Sequence, residues 1–288
     1  LPPATIATIE PNGTMQQRQY WDVSFGSQPD QAGFTADDWI EATLDVMRRA
    51  VKRRLVADVP VGVLLSGGLD SSLVVGLLCE HGNRGIETFS IGFDAVGGEA
   101  GDEFQYSDII ADRYQTKHHK LSIDAARTLP ALRECIGQMS EPMVSHDNVG
   151  FYLLSQEVAK FVKVVQSGQG ADEIFAGYHW YPPMLTATDG LVAYRQGFFD
   201  RDFAEYQRVV VAGLADQDWA GQFVAEHFAR PGAELPIDKA LRIDTQVMLI
   251  DHPVKRGDNQ PVAASLAGRV PFLDHAAVAF AATVPAEP

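Results

Sequence analysis

Val61-Gly62-Val63-Leu64-Leu65-Ser66-Gly67-Gly68-Leu69-Asp70-Ser71-Ser72 is the stretch whose reading decides the fold. Its first five residues, apolar and partly β-branched, predict a short buried strand. The run breaks at glycines and hydroxyls and then opens a predicted helix over 71–80. Gly67 and Gly68 let the backbone turn tightly with its N–H groups inward, and no Cβ bars a phosphate. The helix N-terminus adds free donors and a partial positive charge. The hydroxyls of Ser66, Ser71 and Ser72 can donate further hydrogen bonds. Asp70 is the odd member, because a carboxylate beside a phosphate is repulsive unless Mg²⁺ bridges the two. The loop has no lysine, so it is not the Walker cradle of kinases and GTPases. The bland alternative is a helix cap after a tight turn; a full heptapeptide behind a strand favours the anion site.

Outward from this loop, short apolar strands alternate with helical patterns. Strands are expected at 61–65, 88–93, 118–123 and 162–166, and helices at 71–80, 104–114, 125–139 and 149–161. Such alternation predicts an α/β fold with a doubly wound parallel sheet, whose ligands bind at the carboxyl ends of the strands. A second glycine-bearing loop, Ser167-Gly168-Gln169-Gly170-Ala171-Asp172-Glu173, follows the last of these strands, so both loops are expected to face one crevice. Upstream, Thr35 can cap a helix over 36–58, with Trp39, Ile40, Leu44, Met47, Val51 and Leu55 at helical spacing. Residues 1–35 read as an irregular or edge-strand linker. A helical extension is expected over about 185–250, where Phe198, Phe199, Phe203, Tyr206 and Val210 recur at helical spacing.

The chain has 288 residues, 46% of them hydrophobic, and a formal net charge of −15. This balance fits a globular enzyme and argues against unspecific nucleic-acid binding, which needs clustered Lys and Arg. No apolar stretch approaches the roughly 20 residues needed to span a bilayer. Cys79 and Cys135 lack metal-like spacing and read as core residues of a reducing compartment, which points to a cytoplasmic setting. His118-His119 suggests a metal only weakly, and a place at a strand start suits the pair better. Asp147 or Asn148 is a candidate helix cap, in a polar loop over 141–148.

The Ser66–Ser72 heptapeptide resembles the pyrophosphate loop of the ATP pyrophosphatases, which split ATP into AMP and pyrophosphate. With Ser167 to Tyr178, with Glu87-Thr88-Phe89-Ser90-Ile91-Gly92-Phe93 and with Arg269-Val270-Pro271-Phe272-Leu273-Asp274, most of the chain resembles the synthetase domain of asparagine synthetase-type, glutamine-dependent amidotransferases. Tyr178-His179-Trp180-Tyr181-Pro182-Pro183 and Asp251-His252-Pro253-Val254-Lys255-Arg256 resemble the branch that amidates N-acetylglutaminylglutamine.

The resemblance implies ATP-dependent amidation of a carboxylate through an acyl-adenylate, with ATP and Mg²⁺ as cofactors. It implies Asp70 and Asp172 as Mg²⁺–pyrophosphate ligands, and Gln169 and Arg269 beside them as catalytic candidates. The nucleotide would lie against Leu65, Ser66, Gly67, Gly68, Ser71, Ser72, Ile91, Gly168 and Gly170. For Asp172-Glu173, capping of the following helix is an alternative, and Ile91 serves equally as a strand core residue. The 141–148 loop becomes a candidate wall of an acyl pocket for aspartate or a glutamine-containing dipeptide. The resemblance also implies a glutaminase domain with an N-terminal cysteine ahead of residues 1–35, so the chain reads as an excerpt or a lone synthetase module. No membrane partner is expected, and assembly as a homodimer is left open.

Three departures stand out. Gln169 replaces a common Glu and can hydrogen-bond but cannot shuttle a proton. Ala267 replaces the carboxylate of a family S-L-E-x-R segment, and Pro261 and Val262 replace the commoner Ser/Thr and Met. A family helix carrying a pyrophosphate-contacting lysine would lie beyond Pro288. They motivate the competing readings: a nucleotide-binding module without catalysis, or another AMP-forming ligase of the same fold.

Overall fold

The computed structural model describes residues 1–93, 104–143, 145 and 147–286. Strands β1 (Thr5–Ile9) and β2 (Met15–Gln19) form an antiparallel hairpin, with Thr5 opposite Gln19 and Ile9 opposite Met15. Residues 1–35 therefore hold a paired ribbon where the sequence suggested an irregular or edge-strand linker. The exposed hairpin contrasts with the parallel sheet that follows.

Helix α1 (Ala36–Arg53) is started by Thr35, whose Oγ1 accepts from the Asp38 N–H while the Asp38 carboxylate accepts from the Thr35 N–H. This capping box satisfies two orphan donors of the first turn. Then follow β3 (Val61–Leu64), α2 (Leu69–Glu80), β4 (Glu87–Phe93), α3 (Phe104–Tyr114), β5 (Lys117–Ile123), α4 (Thr128–Gly137), α5 (Asp147–Val158), β6 (Val164–Gln166) and α6 (Ala171–Phe175). The extension contains α7 (Gly190–Phe198), α8 (Phe203–Val209), α9 (Trp219–Ala229) and α10 (Pro236–Ile243). Two π-helical turns (Asp244–Met248 and Ile250–Val254) lead into α11 (Lys255–Ala263). Strand β7 (Ala267–Arg269) and α12 (His275–Ala281) close the chain.

The main sheet is wholly parallel in the order β5-β4-β3-β6-β7. Alternation along β3 shows how it is buried on both faces. Val63 and Leu65 join the core made with α1, α2 and α12, whereas Leu64 packs with Phe89, Leu154, Val158 and Val165 on the other face. Helices α4, α5 and α11 cover that second face. The chain leaves β3 toward β4 and β5 and returns to β6 on the other side, so the strand order reverses between β3 and β6. The carboxyl ends at such a switch point form a crevice. The extension has its own core around Tyr181, Met184, Tyr194, Phe228 and Ile243. At its centre, fully buried Asp244 accepts hydrogen bonds from Trp180 Nε1 (3.0 Å), Tyr181 OH (2.7 Å) and Tyr194 OH. Among the described residues no helix is long and apolar enough to cross a membrane.

Candidate active site

Both glycine loops stand at the switch point, one after β3 and one after β6. Gly67 turns the chain at φ +88°, a conformation costly for any side chain. A Cβ there would lie 2.5 Å from the Ser107 amide nitrogen, so α3 packs directly over the turn. Gly68 caps α2 in extended geometry. The hydroxyls expected to face a ligand instead shape the loop in this structure. Ser66 and Ser71 hydroxyls meet at 3.1 Å, and Ser72 Oγ donates to the Gly68 carbonyl at 2.7 Å.

The second loop approaches the first backbone to backbone. A Cβ on Gly168 would sit 2.7 Å from the Ser71 amide nitrogen and 2.9 Å from the Asp70 carbonyl carbon. Gly170, at φ +87°, caps α6, and a Cβ there would strike Leu273 at 2.4 Å. Because Gly170 holds the cap, the capping alternative for Asp172 fails: Asp172 lies inside the first turn of α6. Gly177 leaves room for it, since a Cβ there would lie 2.0 Å from Asp172 Oδ1.

Asp70 and Asp172 thus belong to touching loops, and their electrostatics agree. Burial pushes the Asp70 carboxyl up, and the charge of Asp172 pushes it further. Burial likewise raises Asp172. Among the described residues no cationic side chain pairs with either carboxylate. Two desolvated, uncompensated carboxylates suit a hard divalent cation, which takes one or two protein carboxylates and completes its shell with phosphate oxygens and water. No group of three or more His, Cys, Asp or Glu that could hold a metal occurs among the described residues.

Leu65 is buried beneath the first loop, and its carbonyl accepts from Ser90 Oγ. Ile91 is half-buried on β4 and packs with the core on the second face, in line with its strand-core reading. The Gln169 side chain leans away toward α11, where a Cβ on Gly257 would be 2.8 Å from its Oε1. It borders a cavity of about 370 Å³ whose wall includes Ser140, Ser167, Lys255, Asn259 and Arg269. Within that wall, Lys255 pairs with Asp251 at 2.7 Å and with Glu141. Arg269 Nη1 is engaged by the carbonyls of Arg54 (2.6 Å) and Val56 (2.8 Å). Ala267, two residues earlier, shares its strand face.

Sequence reasoning missed the contribution of α11 to this cavity. The signal available was Asp251-x-x-x-Lys255, an i,i+4 pair that aligns the residues leading into α11. Of the 141–148 loop, Val144 and His146 lie outside the described residues. Asp147 opens α5 and pairs with Arg256, which also stacks on Phe151 at 4.5 Å. His118 is held by Thr88 and Ser107, and His119 by Glu87, as residues of β5.

The asparagine synthase family profile matches residues 42–288. This chain belongs to the asparagine synthase family. Asparagine synthetase (glutamine-hydrolyzing) 3 of Bacillus subtilis is 28% identical over 99% of this chain and 48% of its own length. Asparagine synthetase (glutamine-hydrolyzing) 1 of the same organism is 29% identical over 64% of this chain and 28% of its own length. Asparagine synthetase (glutamine-hydrolyzing) 2 of Oryza sativa subsp. japonica is 35% identical over 46% and 24%. The chain spans about half the length, or less, of these relatives.

Proposed function

We propose that this chain is the ATP-dependent synthetase part of a glutamine-dependent amidotransferase, and that it amidates a small carboxylate. The observation that carries this reading is the abutment of two glycine loops at the switch point, which brings two uncompensated carboxylates to one crevice.

The chemistry follows from a poor leaving group. Oxide does not leave a carboxylate when ammonia attacks at neutral pH. Attack of the substrate carboxylate oxygen on the α-phosphorus of ATP forms one P–O bond and breaks the bond to pyrophosphate. Ammonia then adds to the acyl carbon, the C–O bond to AMP breaks, and the nitrogen loses a proton. The protein's task is to hold the reactants in line and exclude water. The inward N–H groups around Gly67, Gly68 and the start of α2 would cradle the phosphates. Asp70 and Asp172 would hold Mg²⁺, which neutralises charge on the pyrophosphate oxygens. Leu65, Ile91 and Gly168 would border the nucleoside, and Gln169 would hydrogen-bond at the mouth of the acyl cavity.

Family membership and the alignment of nearly the whole chain with a glutamine-hydrolysing relative support ammonia as the nitrogen source, delivered by a glutaminase partner domain near residues 1–35. Aspartate and glutamine-containing dipeptides are the acceptors to be compared first, in a cytoplasmic setting. The test is pyrophosphate release by the full chain with ATP, Mg²⁺, ammonia and each acceptor in turn. Acceptor-dependent release that vanishes in Asp70→Asn supports the reading; no release with any acceptor overturns it.

A further inference from the structure

A second cavity, of about 500 Å³, opens in the helical extension between the end of α7, α8 and the start of α9. It shares no residue with the cavity beside Gln169. Its wall is aromatic: Phe198, Phe199, Phe203, Tyr206 and Trp219. Phe203 and Tyr206 stack with centroids 6.3 Å apart, and Trp219 is 62% exposed, a large hydrophobic residue left to water. Three carboxylates, Asp200, Asp202 and Asp218, stand on the same lining against a single basic residue, Arg201. Asp202 and Asp218 cap α8 and α9. Asp200 has no hydrogen bond or ion pair with any described residue.

The wall already accommodates one guanidinium. Arg195 lies over the Phe199 ring at 5.4 Å while its Nη2 donates to Asp218 at 2.7 Å. An aromatic face and a carboxylate together suit a guanidinium, since the ring quadrupole attracts its charge and the carboxylate takes its N–H groups. Phe203, Tyr206 and Trp219 with Asp200 repeat that combination of rings and carboxylate, with Arg201 as the basic residue on the same lining. Even with Arg195 counted, the acidic groups outnumber the basic ones.

We propose that this cavity binds a small guanidinium-bearing molecule, stacked on Trp219 and the Phe203–Tyr206 pair and paired with Asp200. Calorimetric titration of the full chain with n-butylguanidinium and with its neutral isostere n-butylurea tests it. The expected result is saturable guanidinium binding at least tenfold tighter than urea binding, about 1.4 kcal/mol. It should weaken at least tenfold in Asp200→Asn and in Trp219→Ala, persist in Trp219→Phe, and fall in about 0.5 M sodium chloride. The variants should keep the wild-type melting temperature and rate of pyrophosphate release. Equal binding of the urea, unchanged binding in Asp200→Asn, or no saturation up to about 10 mM would overturn the proposal. So would a dimer that dissociates in Trp219→Ala in a chain that binds no guanidinium, because the aromatic face would then belong to a second copy.

Discussion

Gly168 and Asp70 stand so close that a Cβ on Gly168 would lie 2.9 Å from both the carbonyl carbon and the Cβ of Asp70. The obstructing atoms are backbone and Cβ, which no rotamer change can move. Gly168→Ala must therefore push the two glycine loops apart. Overpacking of this kind costs about 1–3 kcal/mol, and the misplacement should lower pyrophosphate release at least tenfold. Denaturant unfolding and a steady-state assay check the two effects; a variant of normal stability and rate would show that the loops need not touch.

Asp70 and Asp172 are both carboxyls that folding makes harder to ionise. A carboxyl whose folded pKa is raised makes the native state bind more protons than the unfolded chain. Its contribution to stability therefore falls as pH rises from the ordinary carboxylate range through the folded pKa, and above that pKa the ionised pair is a net burden. Asp70→Asn and Asp172→Asn should each melt above the wild type at pH 7 without ligand. Pyrophosphate release should fall by about 10²-fold or more. Mg²⁺-ATP should stabilise the wild type much more than either variant. Thermal scans with and without Mg²⁺-ATP measure all of this except the rate.

Asp274 behaves in the opposite sense. Burial alone would raise its carboxyl, but the Ala276 N–H and the guanidiniums of Arg53 and Arg54 outweigh burial and hold it below the usual range. Its contribution is thus complete above the unfolded-state pKa of an aspartate and is lost as pH falls through the lower folded value. Asp274→Asn should cost about 1.5–3 kcal/mol at pH 7. It should also flatten the acid limb of the stability curve, as urea unfolding between about pH 2 and 7 would show.

Asp244 gathers three donors in the core of the extension. Burial raises its carboxyl, while Tyr194, Tyr181 and Trp180 pull it down. Asp244→Ala leaves those donors without an acceptor and should destabilise by roughly 3 kcal/mol or more. Near-ultraviolet circular dichroism, which reports the packing of Trp180 and the two tyrosines, should change with it.

Burial raises the thiols of both Cys79 and Cys135, against a small opposing effect of Arg84 on Cys79. Neither suits nucleophilic attack on glutamine. With glutamine as sole nitrogen source this chain should release no glutamate. Turnover abolished by Cys79→Ser or Cys135→Ser would reverse that assignment.

What the sequence determined by itself was local: a β-branched run, glycines that permit tight turns and close approach, a helix cap at Thr35, and alternation of strands with helices. Each is encoded within a few residues, so the α/β class and the convergence of the two loops were legible. Long-range contacts decided the rest. Apolar periodicity carries the predicted first helix to Asp58, but α1 ends at Arg53. Arg269, 215 residues away from Arg54, takes the carbonyls of Arg54 and Val56, which a continued helix would need for its own hydrogen bonds. Ala267-Gly268-Arg269 has no strand propensity and becomes β7 only by pairing with Val164–Gln166. Thr5–Ile9 is rich in β-branched residues, but its partner Met15–Gln19 is a strand only through the cross-strand pairing that its polar composition hides. The charge state of Asp70 depends on burial and on a carboxylate about a hundred residues downstream, and only the packed sheet sets that distance.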